Sequence, residues 1–366
     1  MLLPSKPKFK RGITVHAHKR YRAYYGRNAI ERLLNAVAMI VDPENNNGKI
    51  LLLADEKVFG LYGAKVMEVL SIADEKVYPY LIHSGECCKT QKTVDDIIDK
   101  LRKENFTRSD VIINLGGGSV CDVGGYAACI YKRGMQYINV PTTVMAMADG
   151  AIGGKTGIDF YGSDAPEKNM LGAFYQPRVV ICDTSFLDSL PDEQIKEGLA
   201  EIIKCAVIKS KRLFNGLEQK SVPLEKAIYK AAKIKARLIK GDELEFGKRK
   251  LLTYGHTVGY AIESASNFEV THGQAVAMGM VAECGIFEEV GLSHEISLRI
   301  ESLLKSFEID INWKKHFTPG KKDEKGVFKV ILADKKREGE EIMSSVPLRI
   351  GKARLIPVTI SKFNAK

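Results

Sequence analysis

Apolar residues come in short unbroken runs through the first half of the chain, at 49–54 (KILLLA), 77–82 (VYPYLI), 111–115 (VIINL) and 137–140 (YINV). Runs of this length predict buried strands of a mostly parallel sheet, covered on both faces. Between them, the segments starting near Gly60 and Val94 repeat apolar positions at helical spacing. Successive strand-helix-strand units follow, an α/β nucleotide-binding pattern. After Leu190-Pro191 the texture changes to long helical stretches, from 192 to about 209, from 224 to 243 and from 255 to about 290. The Pro191-Asp192 pair suits a helix start. The expected organisation is therefore an N-terminal parallel-sheet nucleotide-binding domain (1–190) followed by a mainly helical C-terminal domain (191–366). A polar stretch at 317–325 predicts a mobile loop, ahead of two short terminal strands at 327–332 and 354–358. No internal repeat or low-complexity linker interrupts the chain.

Composition narrows the function. With 366 residues, 45% of them hydrophobic, the chain can bury a large core. It has no uncharged apolar stretch of about eighteen residues, and its first residues scatter Lys and Arg without an apolar signal core. A soluble, cytoplasmic protein is expected. Seven cysteines, an odd number without zinc-ribbon spacing, sit mostly in apolar runs, as reduced buried thiols do. The net charge of +10 is spread along the chain and interleaved with Asp and Glu. A small anionic substrate explains this excess as well as nucleic acid or an acidic membrane surface does, and neither of the latter is expected as partner. The densest basic cluster, Lys248-Arg249-Lys250, follows Glu243 and Glu245 and suits a solvated helix end as well as an anion site.

Three groups of residues can carry chemistry. Gly116-Gly117-Gly118-Ser119-Val120-Cys121-Asp122 joins a buried strand to a helical run, where bare backbone can approach a pyrophosphate at the helix's positive end. It lacks the full Gly-x-Gly-x-x-Gly spacing, so a structural turn explains it too. Asp55 closes a strand, where its carboxylate could accept from ribose or adenine or simply make a strand-end turn. Glu201, His256 and His272 are ligand types that suit a divalent ion with an open position for substrate oxygens. Their spacing alone does not distinguish this from separate core or surface histidines, although each histidine adjoins a glycine that lets backbone pack closely. Finally, Arg133, Lys155, Lys168, Lys204, Lys235 and Arg249 are cations within apolar or glycine-rich segments, either substrate ligands or snorkelling surface groups. Lys204 would share a helix face with Glu201.

Taken together, Gly116–Asp122, Arg133-Gly134, Val140-Pro141-Thr142-Thr143, Gly153-Gly154-Lys155-Thr156-Gly157, Lys168-Asn169 and Gly172-Ala173-Phe174-Tyr175-Gln176-Pro177 resemble the sugar-phosphate cyclase superfamily. So do Gly198-Leu199-Ala200-Glu201-Ile202-Ile203-Lys204, Asp242-Glu243 with Arg249, Gly255-His256-Thr257 and His272-Gly273-Gln274-Ala275-Val276. Order and spacing match over about residues 50 to 285, most like the dehydroquinate synthases, and Asp334-Lys335-Lys336 resembles a basic motif near that family's C-terminus. The resemblance implies NAD held by Asp55, Glu86, Lys89, Gly117, Gly118, Ser119, Asp122, Thr142, Thr143, Lys155, Lys168 and the segment from Phe186 to Ser189. It makes Glu201, His256 and His272 the ligands of one divalent ion, zinc or cobalt. Asp149, Lys155, Asn169, Lys204, Lys235, Arg249 and Tyr260 then surround a sugar-phosphate substrate, with Arg133 reaching a phosphate across a homodimer interface.

The implied chemistry oxidises a ring hydroxyl with NAD, eliminates phosphate, returns the hydride, and recloses the opened ring by an aldol step, with no net consumption of NAD. The sequence departs from the dehydroquinate synthases at four places. Thr253 replaces an asparagine, Tyr260 a histidine and Gln274 a glutamate, and the loop between Lys155 and Lys168 is longer. Thr253 and Tyr260 admit a sedoheptulose 7-phosphate cyclase as the alternative, whereas Lys235 and Arg249, which suit a carboxylate, favour a heptulosonate. A metal-dependent polyol or glycerol-phosphate dehydrogenase, which would accumulate NADH, is the rival outside the superfamily, and a non-catalytic descendant is a third reading.

Overall fold

In a computed structural model of the protein, residues 11–40, 48–71, 76–162, 166–317, 327–328, 330–331 and 337–363 are described. The chain packs as two compact units, Met1–Leu190 and Pro191–Lys366. The first contains β1 (Arg11–Val15), β2 (Tyr21–Gly26), α1 (Leu33–Ala38), β3 (Lys49–Asp55), α2 (Glu56–Ser71), β4 (Lys76–Ile82) and α3 (Gln91–Lys103). It continues with β5 (Val111–Gly116), α4 (Gly118–Ile130), β6 (Gln136–Pro141), the antiparallel hairpin β7 (Lys155–Tyr161) and β8 (Pro166–Phe174), and β9 (Val179–Asp183). Seven strands form one sheet in the order β1-β2-β9-β6-β5-β3-β4, parallel throughout except for β1 against β2.

The apolar runs explain the middle of this sheet, because every residue of β5 is buried and β3 is buried from Ile50 onward. The run at 77–82 behaves differently from its expected burial. β4 is an edge strand in which only Ile82 is fully buried. Pro79 has no amide hydrogen to give a second neighbour, which suits an edge. The helices α2 and α3 also begin earlier than their apolar spacing suggests, because polar caps set the start. Asp55 accepts from the Val58 amide at 2.9 Å and Thr90 from the Thr93 amide at 3.1 Å, each satisfying an amide that the first helical turn leaves open. On α3, Val94, Ile97 and Leu101 form the buried stripe, packing with Ile112, Val123 and Phe106 in the core.

The second unit carries α5 (Asp192–Lys209), α6 (Lys211–Glu218), α7 (Leu224–Ile239), α8 (His256–Ala265), α9 (His272–Glu288) and α10 (His294–Ser306). A three-stranded antiparallel sheet completes it, β10 (Arg337–Glu338), β11 (Glu341–Arg349) and β12 (Lys352–Thr359). Three expectations need correction here. The stretch from 255 to 290 is two helices, interrupted where Asn267 and Phe268 take positive φ (55° and 62°) and Thr271 opens α9 with a capping box to Gln274. The helix from 224 stops at Ile239, ahead of Gly241 (φ 77°). Where a strand was expected at 327–332, the described residues 327, 328, 330 and 331 are helical. Val327 and Ile331, the buried pair, lie four apart, which fits one face of a helix. The terminal strand at 354–358 is present within β12, but its long partner β11 was not anticipated. The loop expected at 317–325 and Asp334-Lys335-Lys336 fall, apart from Phe317, outside the described residues.

All seven cysteines are free; five are buried, Cys129 is partly buried and Cys87 is exposed. Among the described residues, no helix is long and apolar enough to cross a membrane.

Candidate active site

In the first unit, β5 runs directly into the glycine turn, and Gly117 in extended conformation starts α4. The helix's first amides thus end at a turn with no side chain in the way. A Cβ on Gly118 would meet nothing within 4 Å, so space lies open before the positive end of the helix. Across the turn, the Thr142 amide donates to the Gly116 carbonyl at 2.9 Å. The Thr142 hydroxyl is buried and has no hydrogen-bond partner, a group that a bound ligand would satisfy. Thr143 accepts from the Ala146 amide at 3.1 Å and so caps the turn Ala146–Gly150, which carries half-buried Asp149.

A polar cluster flanks this turn. Lys89, almost wholly buried, donates to Asp122 at 3.2 Å and to the Asn169 side-chain oxygen, and lies 3.4 Å from Glu86 and 4.0 Å from Asp159. Burial works to depress its pKa, but Asp122, Glu86 and Asp159 outweigh that and raise it above the usual lysine value. Glu86 also accepts from Ser119 at 2.9 Å and lies 3.5 Å from Lys168. Asp159 was not singled out from sequence. Its carboxylate accepts from the Asn169 amide at 2.8 Å, where Asn169 holds φ 53°, and burial raises its pKa. It therefore fixes the strand of the hairpin that bears Lys168 and Asn169.

Other candidates in this unit have additional or different surroundings. Asp55 is occupied as the cap of α2 and by Ser84 at 2.8 Å. Phe186 is a core residue stacked on Tyr62 with ring centroids 4.4 Å apart, and the Tyr62 hydroxyl binds the Phe186 carbonyl (2.9 Å) and Ser189 (2.5 Å). Lys155 is exposed at the start of β7, and Arg133 is exposed with φ 61° beside Lys132 at φ 47°.

In the second unit, Glu201 lies on α5, His256 is the first residue of α8 and His272 the first of α9. Gly255 (φ 77°) and Gly273 make this possible. A Cβ on Gly255 would lie 2.8 Å from the Val276 carbonyl, and one on Gly273 would lie 2.5 Å from the Glu197 Cα. The Nε2 atoms of His256 and His272 lie 3.5 and 3.6 Å from the same Glu201 oxygen, and one ligand atom from each residue lies within 4.8 Å of the others. Ligand atoms at about 2.1 Å from a tetrahedral ion would be about 3.4 Å apart, so the three fit one divalent ion with a fourth position open.

Burial alone would raise Glu201, but Lys204, His272 and His256 hold it well below the usual carboxylate range. Burial lowers the pKa of His272, yet its hydrogen bonds to Glu201 and Glu263 raise it to about 10. A metal ion at the His272 nitrogen facing Glu201 would take the place of that proton.

Lys204 forms an ion pair with Glu201 one helical turn away, and both are buried. Lys235 on α7 is 4% exposed and Arg249 is 0% exposed; within the basic cluster at 248–250 it is Arg249 that turns inward, while Lys248 is exposed and Lys250 half-buried. Asp242 builds the turn that holds Arg249, accepting from the amides of Phe246, Gly247 and Arg249 at 2.9, 3.0 and 2.6 Å. The Arg249 guanidinium donates to the Glu243 carbonyl. Tyr260, half-buried, is one turn beyond His256 on the same face of α8. The Thr253 hydroxyl donates to the Lys250 carbonyl at 2.8 Å and is committed within its own turn.

The 3-dehydroquinate synthase N-terminal family profile matches residues 79–197 and the C-terminal profile matches 198–337. The 3-dehydroquinate synthase of Saccharolobus solfataricus is 36% identical over 351 residues, covering 91% of this chain and 96% of its own. The chain belongs to the 3-dehydroquinate synthase family. Its fold likewise matches 2-deoxy-scyllo-inosose synthase complexed with carbaglucose-6-phosphate, NAD+ and Co2+, at TM-score 0.81 and 25% identity over 96% of this chain and 98% of that one. The 2-epi-5-epi-valiolone synthase of Streptomyces hygroscopicus, with NAD+ and Zn2+ bound, matches at TM-score 0.80 and 25% identity over 94% and 95%.

Within this 3-dehydroquinate synthase family member, two buried glutamates near the histidines escaped the sequence analysis. Glu263 lies 3.3 Å from His272 Nδ1, and Glu283 accepts from the amides of Gly255, Thr257 and Val258. The available signal was a single carboxylate inside each apolar helical run, GYAIESA and MVAECGIF, since a buried carboxylate needs a partner.

Proposed function

We propose that the chain cyclises a heptulosonate phosphate to a carbocyclic keto acid with release of phosphate, the 3-dehydroquinate synthase reaction. The observation that carries this reading is the Glu201, His256, His272 cluster in a unit that also buries Lys204, Lys235 and Arg249. NAD would supply a hydride acceptor that becomes the donor later in the same turnover, and one divalent ion, zinc or cobalt, a Lewis acid. The glycine turn, Thr142 and the Lys89–Glu86–Asp122 cluster would hold NAD, and Glu201, His256 and His272 the ion.

The chain's own side chains would do the rest. Lys235 and the Arg249 fork bind the substrate carboxylate, since a guanidinium pairs with a carboxylate through two parallel hydrogen bonds. Lys204 places a positive charge beside the metal ligands and steadies developing negative charge on a ring oxygen. Tyr260 passes a proton from its position on the His256 face of α8. Asp149, Lys155 and Asn169 are further candidate substrate groups on the first unit, and exposed Arg133 reaches a phosphate in the partner copy of a cytoplasmic homodimer.

Purified protein incubated with NAD, a divalent ion, and heptulosonate or heptulose phosphates tests this reading through phosphate release and absorbance of NADH. Many phosphates per NAD with no build-up of NADH are expected, fastest on the carboxylated sugar. NADH accumulating in step with product would assign a dehydrogenase instead. Faster turnover of sedoheptulose 7-phosphate would favour the second reading, which the replacements at Thr253 and Tyr260 admit.

A further inference from the structure

Both histidines stand at helix N-termini, where the first amides have no partner inside the helix. The two ends solve this differently. Helix α9 caps itself through the Thr271–Gln274 box. Helix α8 cannot, because its N-cap is Gly255, which has no side chain. Glu283, from the middle of α9, does it instead. One of its oxygens accepts from the Gly255 amide at 2.7 Å, and the other from Thr257 at 3.0 Å and Val258 at 3.2 Å. That holds the segment carrying His256, and with it the Tyr254 carbonyl that lies 3.2 Å from His256 Nδ1. The imidazole is thereby turned so that Nε2 faces Glu201.

Glu263, from α8, does the converse for α9. Because α9 needs no outside cap, this carboxylate is directed at the His272 ring, 3.3 Å from Nδ1, which leaves Nε2 facing the same Glu201 oxygen. Each helix thus sends one buried glutamate to the histidine-bearing end of the other. Packing alone does not call for this, since a carboxylate taken out of water is destabilising unless its partners make up for it.

We propose that Glu263 and Glu283 are positioning residues of the metal centre. Glu263 sets the tautomer and orientation of His272, and Glu283 sets the place of His256 by capping α8. The inference rests on the metal reading above, and an experiment can separate the two. Zinc affinity, measured by competition with a chromophoric chelator, and the visible absorption of the cobalt-loaded protein are compared for wild type, Glu263→Gln, Glu263→Ala and Glu283→Gln. Outer partners of metal-bound histidines typically contribute about 10- to 100-fold to affinity.

A loss of that size is expected in Glu263→Ala, with a smaller loss in Glu263→Gln, which keeps an acceptor oxygen. Both should carry an altered cobalt spectrum and unchanged NAD binding. Glu283→Gln should weaken zinc binding and change the spectrum through His256, and Glu283→Asp serves the same comparison if the glutamine variant does not fold. Wild-type affinity and an unshifted cobalt spectrum in the variants would overturn the positioning roles and leave the metal reading intact. A wild-type protein that binds no ion would overturn both.

Discussion

The two units present their functional groups by different means. In the first, the groups facing the proposed cofactor position are backbone amides of a turn, a threonine hydroxyl and a lysine held among carboxylates, all close to the ends of parallel strands. In the second, they are charged side chains from α5, α7 and the turn before α8, buried among apolar residues, together with half-buried His256 and exposed His272 at the starts of α8 and α9. A sheet end offers binding groups as a by-product of its geometry. A helical unit has to bury each charge at a cost and then compensate it. The second unit should therefore be more sensitive to single substitutions, and four experiments probe that contrast.

The largest effect is expected from His256→Ala. Removing a ligand should abolish stoichiometric ion binding and lower phosphate release about 1,000-fold, from several kcal/mol of Lewis-acid stabilisation at about 1.4 kcal/mol per decade. NAD binding should persist, because its groups belong to the other unit. Full metal content in this variant, by elemental analysis, would remove the assignment. Next comes Arg249→Ala, expected to lower kcat/KM on a heptulosonate phosphate at least about tenfold, with poor rescue by Arg249→Lys because a point charge cannot reproduce the planar fork. An equal loss on an uncarboxylated sugar would show that the guanidinium does not read a carboxylate.

Thr142→Val removes the buried hydroxyl that has no partner in the protein while keeping the side chain's shape. NAD should bind about 2- to 12-fold more weakly, the equivalent of one hydrogen bond of about 0.5–1.5 kcal/mol, at unchanged metal content. Tighter NAD binding, measured by fluorescence titration, would show that the hydroxyl is merely buried. The smallest effect is a stability one. Thr90→Ala removes the cap of α3 and should cost about 1 kcal/mol, read from the midpoint of urea unfolding. Metal content should not move, and a change in it would break the separation between the units.

Legibility in the sequence followed the range of the interactions. β3, β5 and β6 could be placed within a residue or two because each is an apolar run whose burial is its own signal. The start of α5 at Asp192 was legible because proline precedes it. Hairpin β7–β8 and strand β9 were not read, nor was the break between α8 and α9, which depends on two residues with positive φ and on a capping box whose glutamine looks like any other polar residue. The helical residues 327, 328, 330 and 331 show the same ambiguity, since a short apolar run serves a strand or a helix until its neighbours choose which side chains to cover.

By itself, the sequence determined the alternation of strand and helix, the glycine turn after a buried strand, and the residue types able to hold a nucleotide, a cation and an anion. These depend on local periodicity and on side-chain chemistry, which the chain carries at every position. Tertiary structure alone decided that Glu201, His256 and His272 share one point, that Arg249 is buried and not solvated, that Asp55 and Phe186 are taken up by capping and core packing, and that Glu263 and Glu283 each serve the opposite helix. Contacts between residues 9 to 71 positions apart leave no periodic trace. They exist only once packing of the helices has fixed which buried charge meets which partner.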